Sequence, residues 1–370
     1  MKLLCVVIAF ILAFVIGQII VLRLYLFSFK RRLFDPVDGR KIHAGLIPRL
    51  GGMAFLPTQC SIFMLVIVVL RHFEIIQMDY ALLFRFMLLI CGLGLLFIAG
   101  IIDDLMGIGY RWKFGAQVAA ALFLPISGLW IDNLYGLFGI TALSPWIGIP
   151  LTVFVVVFII NAFNLIDGID GLCSGLTILA CTVLGTLFFV KESWLHVIFA
   201  FITVGVLSPF FYYNVYGNSK RRRRIFMGDT GSMTLGLSVS FLIISYTMYY
   251  SDVVYCLGGN ILVAFSVVIV PVMDVIRVII FRFLARKPLF LPDKNHIHHY
   301  FLNLGFSSYA TLYCILLIGF GFAVFNMFMI RYVNINIVLL CDVVFWFVGL
   351  WLLKKVKRNG LKENDQQSDT

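Results

Sequence analysis

Charge is what this chain has least of. Only 13% of its 370 residues are Asp, Glu, Lys or Arg, where soluble domains carry about a quarter, and glutamate is nearly missing, at 3 against 15 aspartates. Water alone cannot solvate such a chain, which excludes a soluble domain. Paired cysteine is lacking as well. The 8 cysteines are scattered, with no Cys-x-x-Cys and no neighbouring metal-ligand spacing, so neither a disulfide scaffold nor a cysteine-based zinc site is indicated, and they read as small apolar residues of the interior. No internal repeat is visible. The first apolar run lacks a small-residue cleavage site and is followed at once by a basic cluster, so it reads as a retained span rather than a signal peptide.

What fills the chain is apolar: 62% of residues are hydrophobic and the mean hydropathy is +1.02. Runs long enough to cross a hydrocarbon core about 30 Å thick as helices recur along its length. They predict eleven spans, at 3–27, 51–70, 81–101, 114–130, 146–161, 172–190, 195–213, 232–250, 259–281, 309–330 and 336–353. The fold class is therefore an all-α polytopic integral membrane protein of about eleven transmembrane helices. Residues 1–353 form one transmembrane domain, followed by a polar tail, 354–370, whose composition predicts disorder. Of the 29 Lys and Arg residues, 22 fall in loops or tail on one side and 5 on the other, with Arg23 and Arg277 in or near spans. That bias sets the N-terminus outside and the C-terminus in the cytoplasm. It also accounts for most of the +11 net charge, which in a soluble domain would suggest nucleic acid; membrane lipids are the partner here, and nucleic acid is not.

The acids are informative because carboxylates at membrane depth are costly. Asp35, Asp38, Asp103, Asp104, Asp167, Asp170, Asp229 and Asp293 all fall on the basic side, whereas the opposite loops are short and chemically plain apart from a small hairpin expected over 134–145. Catalysis, if any, is cytoplasmic. Asp103-Asp104 ends the third span, followed by Tyr110-Arg111-Trp112-Lys113 and Gln117; keeping both acids ionised calls for a cation, Mg²⁺ or Lys113, unless the pair is a solvated loop. Asn161-x-x-Asn164-x-x-Asp167-Gly168-x-Asp170-Gly171 spaces four polar residues by three, which keeps them within about half a helix circumference. A helix-ending turn would explain fewer of them. Gly228-Asp229-Thr230-Gly231-Ser232 opens the eighth span and reads as an N-cap, as a site for phosphate-bound Mg²⁺, or as both. His296-x-His298-His299 places three of the 6 histidines together; without cysteines a zinc site is disfavoured, and donors to phosphate or sugar hydroxyls fit better. Arg40-Lys41-x-His43 and Pro48-Arg49-Leu50-Gly51-Gly52 add cations and a flexible turn before the second span. Asp274 and Arg277 suit an intramembrane ion pair; Asp342 stands alone in the last span.

In order and sidedness these elements resemble the polyprenyl-phosphate N-acetylhexosamine-1-phosphate transferases, the WecA/TagO-type branch of the superfamily that includes MraY. The resemblance covers nearly the whole chain. It implies an enzyme of the bacterial cytoplasmic membrane that transfers an N-acetylhexosamine 1-phosphate, GlcNAc-1-phosphate being the best guess, from a UDP-sugar donor to undecaprenyl phosphate. UMP would be released, and the step would begin a cell-envelope glycan. It implies Mg²⁺ or Mn²⁺ held by Asp229 and Asp104, catalytic roles for Asp103, Asp104, Asp167 and Asp170, and substrate contacts from Lys41, His43, Arg49, Lys113, Asn161, Asn164, His296, His298 and His299. It leaves open whether the chain works as a homodimer. A membrane transporter or lipid flippase is the alternative, but transporters place ionisable residues near the midplane and often show repeats.

Overall fold

The computed structural model describes residues 1–31, 49–77, 79–217, 225–249, 260–286 and 296–368. Thirteen α-helices follow one another among them: α1 (Lys2–Arg31), α2 (Phe55–His72, entered through a 3-10 turn at Gly51–Ala54), α3 (Tyr80–Met106), α4 (Tyr110–Ile126), α5 (Pro145–Ile166), α6 (Leu172–Val190), α7 (Trp194–Tyr216), α8 (Gly228–Tyr249), α9 (Asn260–Ser266), α10 (Ile269–Leu284), α11 (Ile297–Asn303), α12 (Ser308–Met329) and α13 (Ile335–Ser368). The sole sheet among the described residues is a two-stranded antiparallel hairpin, β1 (Asn133–Leu137) with β2 (Ile140–Ala142). In lipid each backbone N–H and C=O needs a partner within its own segment, so apolar runs fold as helices.

Each of the eleven expected runs contains helix, and the chain is an all-α polytopic membrane protein. Nine helices among the described residues are long and apolar enough to cross a membrane. The difference lies in the fourth and ninth runs. Helix α4 has only 17 residues. The ninth run breaks between α9 and α10, because Pro271 has no N–H to offer the carbonyl four residues back, at Val267. Helix α13 continues through Ser368, across the segment whose composition predicts a disordered tail.

Helix α8 is the hub, buried beyond its first turn and packed on α3, α5 and α6. Its hydroxyls are satisfied locally: Thr234, Ser238, Ser240 and Thr247 donate to the carbonyl four residues back at 2.7–3.0 Å. The hairpin expected over 134–145 sits at the end of the bundle where α8 finishes. The Tyr135 hydroxyl donates to the Thr247 carbonyl at 2.7 Å, and Asn336 of α13 bonds the backbone of Phe138 and Gly136. Asp342 is not alone: the Asn326 amide of α12 lies 3.0 Å from both its oxygens, pinning the last two spans. The expected Asp274–Arg277 pair forms at 2.8 Å.

Candidate active site

At the opposite end of the bundle from the hairpin, the C-terminal ends of α3, α5 and α7 meet the N-terminal ends of α4, α6 and α8. Adjacent helical residues point about 100° apart, so the two acids closing α3 face different neighbours. Asp103 turns to α4: its Oδ2 accepts from Lys113 Nζ at 3.0 Å, while Oδ1 accepts the Ile108 N–H at 2.8 Å. Asp104 turns to α8: Oδ1 accepts the Asp229 N–H at 2.8 Å, and Oδ2 accepts the Thr230 N–H at 3.0 Å and the Thr230 hydroxyl at 2.6 Å. A carboxylate thus occupies the helix N-terminus where free N–H groups for phosphate were expected, and it complements the positive end of the helix dipole.

Asp229 is gripped from both sides. Lys113 Nζ donates to its Oδ2 at 2.6 Å and Asn164 Nδ2 to its Oδ1 at 2.5 Å, with Asn164 also donating to the Ser232 hydroxyl at 2.9 Å. Its side chain is 32% exposed, against 10% for Asp103 and 19% for Lys113. Asp229 is therefore the most open of the three. Asn161 faces away from this group; its amide donates to Gln117 Oε1 of α4 at 2.7 Å, so it braces α5 on α4.

Asp167 caps the end of α5. Burial, together with the negative charges of Asp229 and Asp104, pushes its carboxyl up to about 7 against the opposing pull of Arg49. Asp170 begins the link to α6 and lies 3.5 Å from Asn214 Nδ2. Asn214, near the end of α7, was not singled out in the sequence, yet its Oδ1 accepts the Gly171 N–H at 2.5 Å and its Nδ2 donates to the Ile225 carbonyl at 2.8 Å. One buried amide thereby ties the Asp167–Gly171 turn to the segment that leads into Asp229. A polar residue in an otherwise apolar span end is the signal that could have found it.

The Gly51-Gly52 pair is not a flexible turn. Gly51 and Gly52 N–H donate to the Phe226 and Met227 carbonyls at 2.9 and 2.8 Å, and a Cβ on Gly52 would fall 2.3 Å from the Gly231 nitrogen. Their lack of side chains lets this backbone lie flat on α8. Lys41 and His43 lie outside the described residues.

The histidines join the site through Gly168. The Cε1 and Nε2 of His298 lie 2.5 Å from where a Gly168 Cβ would stand. His298 is buried, stands parallel to His296 at 5.9 Å and contacts the His299 ring at 4.2 Å. Burial and the neighbouring His299 and His296 push its pKa down to about 3, so it is neutral at physiological pH. Among the described residues no group of three or more His, Cys, Asp or Glu side chains is arranged to hold a metal ion by itself.

The profile of glycosyl transferase family 4 matches residues 85–247, from α3 to α8. A Bacillus subtilis (strain 168) protein named "Probable undecaprenyl-phosphate N-acetylglucosaminyl 1-phosphate transferase" is 30% identical over 324 residues, 86% of this chain and 83% of its own. The chain belongs to glycosyl transferase family 4. Two further relatives carry the name undecaprenyl-phosphate alpha-N-acetylglucosaminyl 1-phosphate transferase. The Yersinia pestis protein is 29% identical over 76% of this chain and 72% of its own, and that of Escherichia coli (strain K12) is 30% identical over 75% and 71%. The family 4 profile spans Asp103, Asp104, Lys113, Asn164, Asp167, Asp170 and Asp229, which the structure brings together; the histidine segment lies beyond it.

Proposed function

We propose that this chain transfers N-acetylglucosamine 1-phosphate from UDP-N-acetylglucosamine to undecaprenyl phosphate, releasing UMP, as the first step of a cell-envelope glycan. The observation that carries the reading is similarity over 86% and 76% of the chain to relatives of that name, joined to a cluster of acids braced by Lys113 at one end of the bundle. The same reading places the protein in the bacterial cytoplasmic membrane with this end facing the cytoplasm, supported by the 22-to-5 division of basic residues and the positive-inside rule. The acids gather at one end instead of at the midplane, so a transporter finds no support.

Both substrates are anions, and the cluster is itself rich in acid: Asp103, Asp104, Asp167 and Asp229 lie together, with Lys113 bonded to Asp103 and Asp229 and Arg49 acting on Asp167. A divalent cation fits that excess. The donors are carboxylate oxygens with no cysteine among them, which suits Mg²⁺ or Mn²⁺, and Mg²⁺ is usually held by one or two carboxylates plus substrate phosphates. We assign it to Asp229 and Asp167, since Asp104 is engaged as the cap of α8. When bound, the ion would offset phosphate charge.

The chain's own groups do the rest. Lys113 and Asn164 hold the Asp229 carboxylate in one orientation. In this reading Lys113 and Arg49 attract phosphate, and the histidines contact the nucleotide sugar. An oxygen of the lipid phosphate attacks the sugar-bearing phosphorus, a P–O–P link forms, and the bond to UMP breaks with its electron pair leaving on UMP. A phosphate monoester has a second pKa near 6 and is mostly dianionic at neutral pH, so no side chain has to remove a proton. Purified protein in detergent, given undecaprenyl phosphate and labelled UDP-sugars with Mg²⁺ or EDTA, tests this. A metal-dependent lipid product and UMP, lost in Asp229→Ala, are expected; no product from folded protein with any donor refutes it.

A further inference from the structure

Asp274 lies on α10 with 0% exposure, and a buried carboxylate is strongly unfavourable unless fully partnered. Most of its partners lie off its own helix. Arg277 reaches Oδ1 at 2.8 Å from its own helix, but the other two bonds come from the start of α11: His296 Nδ1 at 2.8 Å on Oδ2, and the Ile297 N–H at 2.9 Å on Oδ1. Two of three bonds thus reach across more than twenty residues to the segment that carries the histidines. His296 stands at the N-cap of α11 but makes no capping bond there; its ring is turned to Asp274 instead. Arg277 adds a contact of its own to α11, its guanidinium lying 4.9 Å from the Tyr300 ring.

We propose that Asp274 is a positioning residue of the active site: it holds His296 by Nδ1 and docks α11 so that His298 is seated against Gly168. A carboxylate accepting at Nδ1 fixes the imidazole's tautomer and ring plane, and leaves Nε2 as the other functional nitrogen. The parallel His298 ring then inherits its place from His296, with its far edge on the Asp167–Asp170 turn. His298 Nδ1 is buried without a hydrogen-bond partner among the described residues; packing and the neighbouring rings, and no bond of its own at that atom, hold this side of the ring. The inference rests on the transferase reading, and names the donor side as the one Asp274 serves.

The test uses full-length protein in one detergent: wild type, Asp274→Asn, His296→Ala and the double variant. Initial rates are measured against UDP-N-acetylglucosamine at saturating lipid, then against lipid at saturating donor, with thermal midpoints alongside. Asp274→Asn is expected to raise the donor KM about tenfold or more, a typical penalty for removing a group that orients a functional histidine, with the lipid KM within about twofold. The double variant is expected to be no worse than the worse single one. Equal loss for both substrates, or effects of the two substitutions that multiply, would overturn the inference. If Asp274→Asn does not fold, His296→Ala decides alone: a donor-specific loss supports the proposal and an unchanged donor KM overturns it. Wild type inactive with every donor sinks the transferase reading and this inference together, whereas active wild type with normal Asp274→Asn sinks only the latter.

Discussion

Replacing Asp104 by Asn separates a supporting role from a chemical one. The carboxylate accepts three hydrogen bonds from the first turn of α8, two from backbone N–H groups and one from the Thr230 hydroxyl. Asn keeps one acceptor oxygen and turns an NH₂ group toward donors, so at least one bond is lost and the negative charge with it. Losing a cap costs about 0.5–2 kcal/mol, and losing a hydrogen bond to a charged group about 1.5–3 kcal/mol. These overlap, which puts the total at about 2–4 kcal/mol. Because Asp229 sits in that same turn, turnover should fall at least about tenfold in step with a lower thermal midpoint, measured by intrinsic fluorescence or a thiol-reactive dye in detergent. An Asp104→Asn protein with an unchanged midpoint, lost turnover and a shifted pH profile would refute the capping role and favour a proton-transfer one.

Other substitutions read neighbouring parts of the site. Asn164→Ala removes the amide that holds Asp229 and Ser232; a loss of about 1.5–3 kcal/mol in transition-state stabilisation, roughly 10- to 150-fold in kcat/KM, should appear in steady-state rates. Lys113→Met strips a cation bonded to both Asp103 and Asp229, and turnover should drop more than a hundredfold, while Lys113→Arg rescues little because its fork does not match a point contact. Gly168→Ala puts a methyl 2.5 Å from the buried His298 ring, an overpacking cost of about 1–3 kcal/mol that should weaken donor use and leave lipid use intact. Asp167 gives a pH test. With its carboxyl raised from 3.8 to about 7, the folded state binds more protons than the unfolded one in that window, so this group makes stability fall as pH rises from about 4 to about 7. Asp167→Asn should flatten that slope in melts recorded in EDTA.

The spans and their polar ends were legible because lipid imposes one rule on each run, and a carboxylate in an apolar chain stands out. Which neighbour each polar residue meets was not. Asp103 and Asp104 look equivalent in sequence and diverge only once α4 and α8 lie on different sides of α3. Asn161 and Asn164 share a helix face by spacing, yet one braces α4 and the other orients Asp229. Gly51-Gly52 reads as flexibility when the partner backbone is unseen. Asp342 and Asn326 are sixteen residues apart on two helices, and Asn214 carries no motif around it; both contacts depend on helix packing that periodicity does not encode.

The burial of α8 bears on how the protein is made. Its hydropathy of 1.4 is the lowest of the nine membrane-length helices among the described residues, and it has the largest share buried inside the bundle. A segment rich in serine, threonine and glycine gains little from lipid alone and is suited to close packing against other helices. It should therefore partition poorly as a lone segment leaving the translocon and be retained only when α3 and α5 are there to receive it. The helix that carries Asp229 would then be among the last to settle, and a half-built chain would hold no assembled site.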